Sequence, residues 1–503
     1  MSLTVRRVLT ILTLAAGLSV VAIANSTPTS ARSELQLELG DLLLADERYW
    51  EAMAAYDEAK AGANPVQLVR ASTGLLRSLL SVAEFSRAHR EALFLDELGV
   101  PDPDVRALQG DAFWASGLFE EAEQLYSDVL AEAPANAAAR NGLAKSLAAR
   151  SRLDEALVEA LAAVGGTDDR GEYYHTLGSI YHRMHRYQDA AEALEDYVER
   201  LPQVVRSRRT EWARSEVMFL RSFGDRQPFE VRGDADRVHT VPFRLVNDKI
   251  VVRGKINGQG PIDLVVDTGA EQMVLSEDTA SETGVPAITT TISAGVGEVG
   301  VRGLDLGRVD RLEIGSFEVR NVSSIIKNPP LDGLPRKRVR DSISPVAFGL
   351  SAVIDYENHH MLLARHLPDA PADIELPMRV DRLAVVRGIV NEDHPRSFVV
   401  DTGGEVVSLS IGTAGSLGLV PPRHIPLRVY GTSGWDQDAF LLPGVDLAFN
   451  EIMYDNFSVV VLNLHRPSAL LGFHIGGIVG HTFLKNYRVA LDVERSMLRL
   501  TKL

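Results

Sequence analysis

Two short runs in this 503-residue chain carry the same chemistry. Val265-Val266-Asp267-Thr268-Gly269 and Val399-Val400-Asp401-Thr402-Gly403 each lead an apolar stretch into an aspartate, a threonine and a glycine. An apolar run of this kind reads as a buried strand, so each copy delivers a carboxylate onto a tight turn. Glycine permits the backbone of that turn, and threonine carries a hydroxyl able to hydrogen-bond across to the other copy. Where two such turns meet at a twofold axis, two carboxylates come together, and like charges that close hold one proton between them. Such a pair can work on a single water. One carboxylate takes the water's proton as its oxygen attacks an amide carbon; the other protonates the carbonyl oxygen and later helps the amine leave. The expected chemistry is peptide hydrolysis by Asp267 and Asp401, with Thr268, Gly269, Thr402 and Gly403 shaping the turns, and with no metal and no cofactor.

The elements that position these turns are written twice. With an offset of 134, Val251-Val252-Arg253-Gly254 falls on Val385-Val386-Arg387-Gly388, and Asn257, Pro261, Glu271, Leu275-Ser276, Thr279-Ala280 and Gly284 all find their equals. Seventeen of the thirty-five positions from Val251 to Val285 are identical without a gap, which makes the second half an internal duplication. From about His239 onward, short Val/Ile-rich runs alternate with Gly, Pro and Asn turns, so both copies read as β structure. The expected lobes are 239–368 and 376–503.

These residues resemble the retropepsin-like and pepsin-like aspartic peptidases, over about 240 to 503. Besides the two Asp-Thr-Gly turns, the resemblance includes Ile478-Val479-Gly480 and the closing Phe483-Leu484-x-x-Tyr487-x-Val489-x-Leu491-Asp492, which is most similar to bacterial members. It implies an all-β, two-lobed fold in which Ile478-Val479-Gly480 passes behind the active-site turn. In the first copy the matching element is expected near Ala347-Phe348-Gly349, followed by a shortened helix, so that this lobe would be trimmed. It also implies glycine-rich flaps over the cleft, for which Gly295, Gly297, Tyr430 and Gly431 are candidates beside ordinary hairpin turns. Ala270 and Gly404 follow the two turns where pepsin-like enzymes carry a hydroxyl. The missing hydrogen bond should raise the dyad's apparent pKa and favour weakly acidic to neutral pH.

The first half has a helical period. Gly40, Gly74, Gly110, Ala144 and Gly178 recur at steps of 34, 36, 34 and 34 residues. Ala52, Ala122, Ala156 and Ala190 lie twelve further on, and Tyr56, Tyr126, Ala160 and Leu194 four beyond those. Small residues let two helices approach, and the apolar position fills the gap between them. This resembles about five tetratricopeptide repeats over 33–202, the second (Gln67 to Val100) weak. The resemblance implies an all-α solenoid offering a surface to a protein or peptide partner. His182 and His185 lie three apart with no third metal ligand in evidence, and read as solvated helix residues. Residues 203–238 read as a charged linker, part of it helical.

At the N-terminus, Arg6 and Arg7 precede an apolar run from Val8 to Ala24 ending in Ala22-Ile23-Ala24, the plan of a secretory signal over 1–24. Export to a bacterial periplasm or envelope is expected, with membrane attachment only if that segment is retained. The formal charge of −16 argues against a nucleic-acid partner. With no cysteine, a thiol nucleophile and disulfides are excluded. The basic run Arg336-Lys337-Arg338-Val339-Arg340 reads as a solvated loop. The composite expectation is an aspartic endopeptidase whose repeats recruit its substrate or a partner; the alternative is an envelope scaffold or binding protein that has lost turnover.

Overall fold

The computed structural model describes residues 29–166, 169–201, 208–234, 236–293, 295–296, 302–327, 341–419, 425–431 and 434–503. The signal segment, Gly297 and the basic run 336–340 lie outside them. The described chain is a helical solenoid followed by a β-rich region, and it divides into two compact units, 1–112 and 113–503.

Five helix pairs follow one another: α1 (Thr29–Ala45) with α2 (Tyr49–Lys60), α3 (Pro65–Ser81) with α4 (Phe85–Glu97), α5 (Pro103–Ala115) with α6 (Phe119–Glu132), α7 (Ala137–Ala149) with α8 (Leu153–Val164), and α9 (Gly171–Arg183) with α10 (Tyr187–Arg200). The weak second repeat folds like the rest. Its first helix opens on a capping box: Asn64 Oδ1 accepts the Gln67 amide at 3.0 Å, and Gln67 Oε1 accepts the Asn64 amide at 3.2 Å. The periodic Gly40 and Gly74, and Gly142 two residues before the periodic Ala144, are explained by what they touch. A Cβ on Gly40 or Gly74 would lie 2.6 or 2.2 Å from the ring of Tyr56, and one on Gly142 would lie 2.2 Å from Tyr126. Both tyrosines are fully buried, so each glycine is the space that a ring occupies.

A further helix, α11 (Arg208–Arg221), is the helical part of residues 203–238. Ala213, Phe219, Leu220, Phe223 and Phe229 are buried in one core with Tyr187, Leu194 and Tyr197 of α10 and the strands of the first lobe. Arg221 ties the helix back to Glu195 at 2.7 Å. His182 and His185 are likewise not solvated. His182 stacks on Tyr187 at 4.8 Å, and His185 packs on Phe229 at 5.0 Å.

The two lobes share one antiparallel sheet. Its order is 239–246, 360–364, 351–355, 487–492, 497–502 and 374–381, with Ile354 opposite Val489 at the junction of the lobes. Each outer strand also pairs within its own lobe, Phe243 with Val252 and Met378 with Val386. The arrangement is a pseudo-twofold one, as the duplication requires. Within the same compact unit, α6 docks on the second lobe. Arg379, almost fully buried, meets Glu120 at 2.8 Å, and Arg387 meets Glu121 at 2.8 Å. Phe119 and Phe473 pack edge to face at 5.2 Å. On the first lobe, Tyr187 bonds Ser323 at 3.2 Å. The later repeats are cemented to the peptidase-like lobes rather than tethered to them.

Candidate active site

In each lobe a central strand ends at the aspartate, Gln259–Val266 in one and His394–Val400 in the other. A third, parallel strand lies beside it. In the second lobe this is Gly477–Val479, with Val400 opposite Val479 and the Asp401 amide bonded to Val479 O at 3.0 Å. In the first lobe the equivalent is Asp341–Ile343, with Val266 opposite Ile343 and the Asp267 amide bonded to Ile343 O at 2.9 Å. The element expected at Ala347-Phe348-Gly349 is therefore Ser342-Ile343-Ser344. Val346–Phe348 forms the short 3-10 helix that follows it, and the first lobe lacks none of these parts.

The turns grip one another. Thr268 Oγ1 donates to Val400 O at 2.7 Å and accepts the Thr402 amide at 3.0 Å; Thr402 Oγ1 donates to Val266 O at 2.7 Å and accepts the Thr268 amide at 3.1 Å. Both threonines are fully buried, so no water replaces these bonds when a hydroxyl is lost. Thr402→Val leaves Val266 O and the Thr268 amide unpaired. It should lower stability by about 2–4 kcal/mol, read in urea unfolding, while Thr402→Ser keeps most of it. Equal unfolding midpoints for wild type and Thr402→Val would disprove this role.

The grip places the carboxylates face to face. Gly269 lies so close to Asp401 that a Cβ there would be 2.5 Å from its Cγ, and a Cβ on Gly403 would be 2.4 Å from Asp267 Oδ1. Each aspartate is held by the amide of its own glycine, Gly269 N to Asp267 Oδ1 at 3.0 Å and Gly403 N to Asp401 Oδ1 at 2.7 Å. Burial, then the charge of Asp401 and a hydrogen bond with it, push Asp267 up to about 7, while Lys327 and the Gly269 amide pull the other way. That is the direction expected for two acids sharing one proton.

Side chains not singled out in the sequence complete the surroundings. Arg382, in a tight turn of the second lobe with φ +63°, donates to Glu271 of the first at 2.7 Å. By the pseudo-twofold, Lys249 of the first lobe reaches Gly403 O and approaches Glu405 at 3.9 Å. Both glutamates align in the duplication, but their cations do not, since Arg382 and Lys249 are not equivalent positions. The turn at Asp401 is also held from behind, where the amides of His481 and Thr482 donate to Gly404 O and Glu405 O at 2.8 and 3.0 Å.

The candidate flaps meet. Tyr430 and Gly431 lie in a hairpin strand opposite Trp435 and Gly434, with the Tyr430 and Trp435 rings edge to face at 5.2 Å. Gly295 and Val296 follow strand 287–293 in the first lobe. A Cβ on Gly431 would lie 2.2 Å from Val296 O, so the two lobes touch here through a glycine. Gly431→Val should hold the flaps apart. The expected result is a raised KM and a kcat/KM about tenfold lower with an unchanged unfolding midpoint; unchanged kinetics would exclude closure at this contact.

Residues 252–334 match the family described as "gag-polyprotein putative aspartyl protease", and residues 107–169 match the tetratricopeptide repeat family. The matches place a retropepsin-like aspartyl protease resemblance on the first lobe and a tetratricopeptide-repeat resemblance within the helical array, over those residues. Among solved structures it is similar to TTC0263, a thermophilic TPR protein from Thermus thermophilus, at 19% identity over 38% of this chain and 99% of that one, with a TM-score of 0.32. It is also similar to MamA from Desulfovibrio magneticus RS-1, at 19% identity over 33% of this chain and 94% of that one, with a TM-score of 0.26. YrrB, described as a TPR protein with an unusual peptide-binding site, matches at 18% identity over 34% of this chain and 86% of that one, with a TM-score of 0.24. Among the described residues no helix is long and apolar enough to cross a membrane.

Proposed function

We propose that this chain is an aspartic endopeptidase whose two lobes supply one carboxylate each, Asp267 and Asp401, to a site formed within a single polypeptide. The observation that carries the reading is the reciprocal threonine grip with the carboxylates facing each other across it. With one proton shared, the ionised carboxylate takes a proton from water as the water oxygen bonds to the amide carbon. The protonated carboxyl gives its proton to the carbonyl oxygen, leaving a tetrahedral diol. Collapse of the diol breaks the C–N bond: the protonated carboxyl gives its proton to the departing nitrogen while the other carboxylate takes one from a diol hydroxyl, restoring the singly protonated pair. No covalent enzyme intermediate is formed.

In this reading the protein is exported to the bacterial envelope, and the repeats hold a protein partner or substrate. Incubating the purified chain with a mixed peptide library across pH 3–8 tests the central claim. Cleavage at defined bonds, without a burst phase, is the expected result. A folded chain that cuts nothing anywhere in this range would leave the scaffold reading in its place.

A further inference from the structure

The first helix of the array presents a face that the third and fifth repeats bury. Leu35, Leu39 and Leu42 of α1 are 65%, 44% and 67% exposed. Their equivalents two repeats on, Val105, Gln109 and Ala112, are 7%, 3% and 0% exposed, and those in the last repeat, Tyr173, Leu177 and Ile180, are 3%, 6% and 1%. At these positions a helix packs on its neighbour in a solenoid, and an end repeat ordinarily turns a polar face outward. Here three leucines stand at the open end instead.

The spacing of this face says what fits it. Arg32, Leu35, Leu39, Leu42 and Asp46 are all exposed and fall at intervals of three, four, three and four residues, the repeat of a two-helix seam. The stripe is self-complementary at its charged ends. Arg32 lies seven residues before Leu39 and Asp46 seven after it, so an antiparallel copy centred on Leu39 sets Arg32 against Asp46, with Leu35 and Leu42, four before and three after, one residue out of register with each other. Among the described residues Arg32 is otherwise engaged only in an exposed pair with Glu58 at 3.9 Å. We infer that the open end of the repeat array is an isologous interface in which α1 of one chain packs antiparallel on α1 of a second copy. The inference rests on the repeats and does not depend on peptidase activity.

The absence of cysteine gives a clean test on the full chain. Across such an axis the two Leu39 backbones approach to within about 8–10 Å, near enough for a flexing pair of helices to trap a disulfide. Leu39→Cys should therefore give a disulfide-linked dimer under mild oxidation, many times faster than Val158→Cys, an apolar site on another helix that is 63% exposed. In sedimentation velocity the wild type should run as a dimer and Leu39→Glu as a monomer. Arg32→Asp should weaken the dimer, and adding Asp46→Arg should restore it. A monomeric wild type overturns the inference, as does a dimer indifferent to Leu39→Glu. A monomer that binds phosphatidylglycerol vesicles through Leu39 would assign the face to lipid, and dimerisation only after removal of residues 1–24 would assign it to that segment; both also overturn it.

Discussion

Replacing either Asp267 or Asp401 with asparagine is expected to abolish peptide cleavage, with kcat/KM falling by about 10²–10⁴-fold or more. The loss should be as large for one as for the other, because each supplies half of one acid–base pair. The double variant should be little worse than either single one, since the two groups act as a unit. Asparagine preserves the local structure: its amide oxygen can still accept the Gly269 or Gly403 amide that each aspartate accepts at 3.0 or 2.7 Å. The check is kcat/KM on the best library peptide beside an unfolding curve for each variant. A folded single variant retaining more than a tenth of wild-type turnover would show that the residue replaced is not part of the machinery.

The second large effect is on pH dependence, in both activity and stability. Asp267 stands at about 7 in the folded chain against an ordinary value of 3.8. Its folded value is raised, so the fold favours the protonated acid. The associated stability is fully present below about pH 4 and is lost as pH climbs to about 7. That rise corresponds at most to about 4 kcal/mol. Because Asp267 is half-buried rather than sealed, about 2 kcal/mol is the expected size of the loss. Asp267→Asn carries no such penalty. It should melt about 2–4 °C above wild type at pH 8 and show no advantage at pH 4, measured by scanning calorimetry. Turnover should follow the same proton. It should peak at weakly acidic to neutral pH and decline above about 7, where the pair loses its proton. A melting advantage equal at both pH values, or activity that keeps rising to pH 9, would contradict the shared proton.

Much of this site was legible in the sequence because duplication leaves an internal standard. The gapless offset of 134 picked out the two turns, and the grip through Thr268 and Thr402 is what their type at that position permits. The third strand of the first lobe escaped because its chemistry had been exchanged. In the second lobe Gly476 O accepts the Ser410 amide at 2.8 Å and Thr413 Oγ1 at 3.0 Å. In the first, the side chain of Asp341 does both tasks, accepting the Ser276 amide at 2.6 Å and Thr279 Oγ1 at 2.7 Å. An acidic, serine-rich strand stands where an apolar one ending in glycine was sought. Only its pairing with the catalytic strand reveals it. The packing of the helix at 208–221 was hidden by its charges: the arginines dominate its composition, while a few apolar residues fix its place in the core. Arg382 and Lys249 could not be found from the duplication at all, since opposite lobes reach matching glutamates from different positions.

The sheet shared by the lobes also sets an order in time. Strand 351–355 is paired on one side by 360–364, and its other edge belongs to 487–492. Ile354 and Val489 are 135 residues apart in the chain, so at about 5–20 residues per second this edge waits on the order of ten seconds during synthesis. Through that interval the first lobe has an open strand edge, a surface inclined to pair with any other strand it meets. A half-made chain is therefore most exposed to aggregation during that interval.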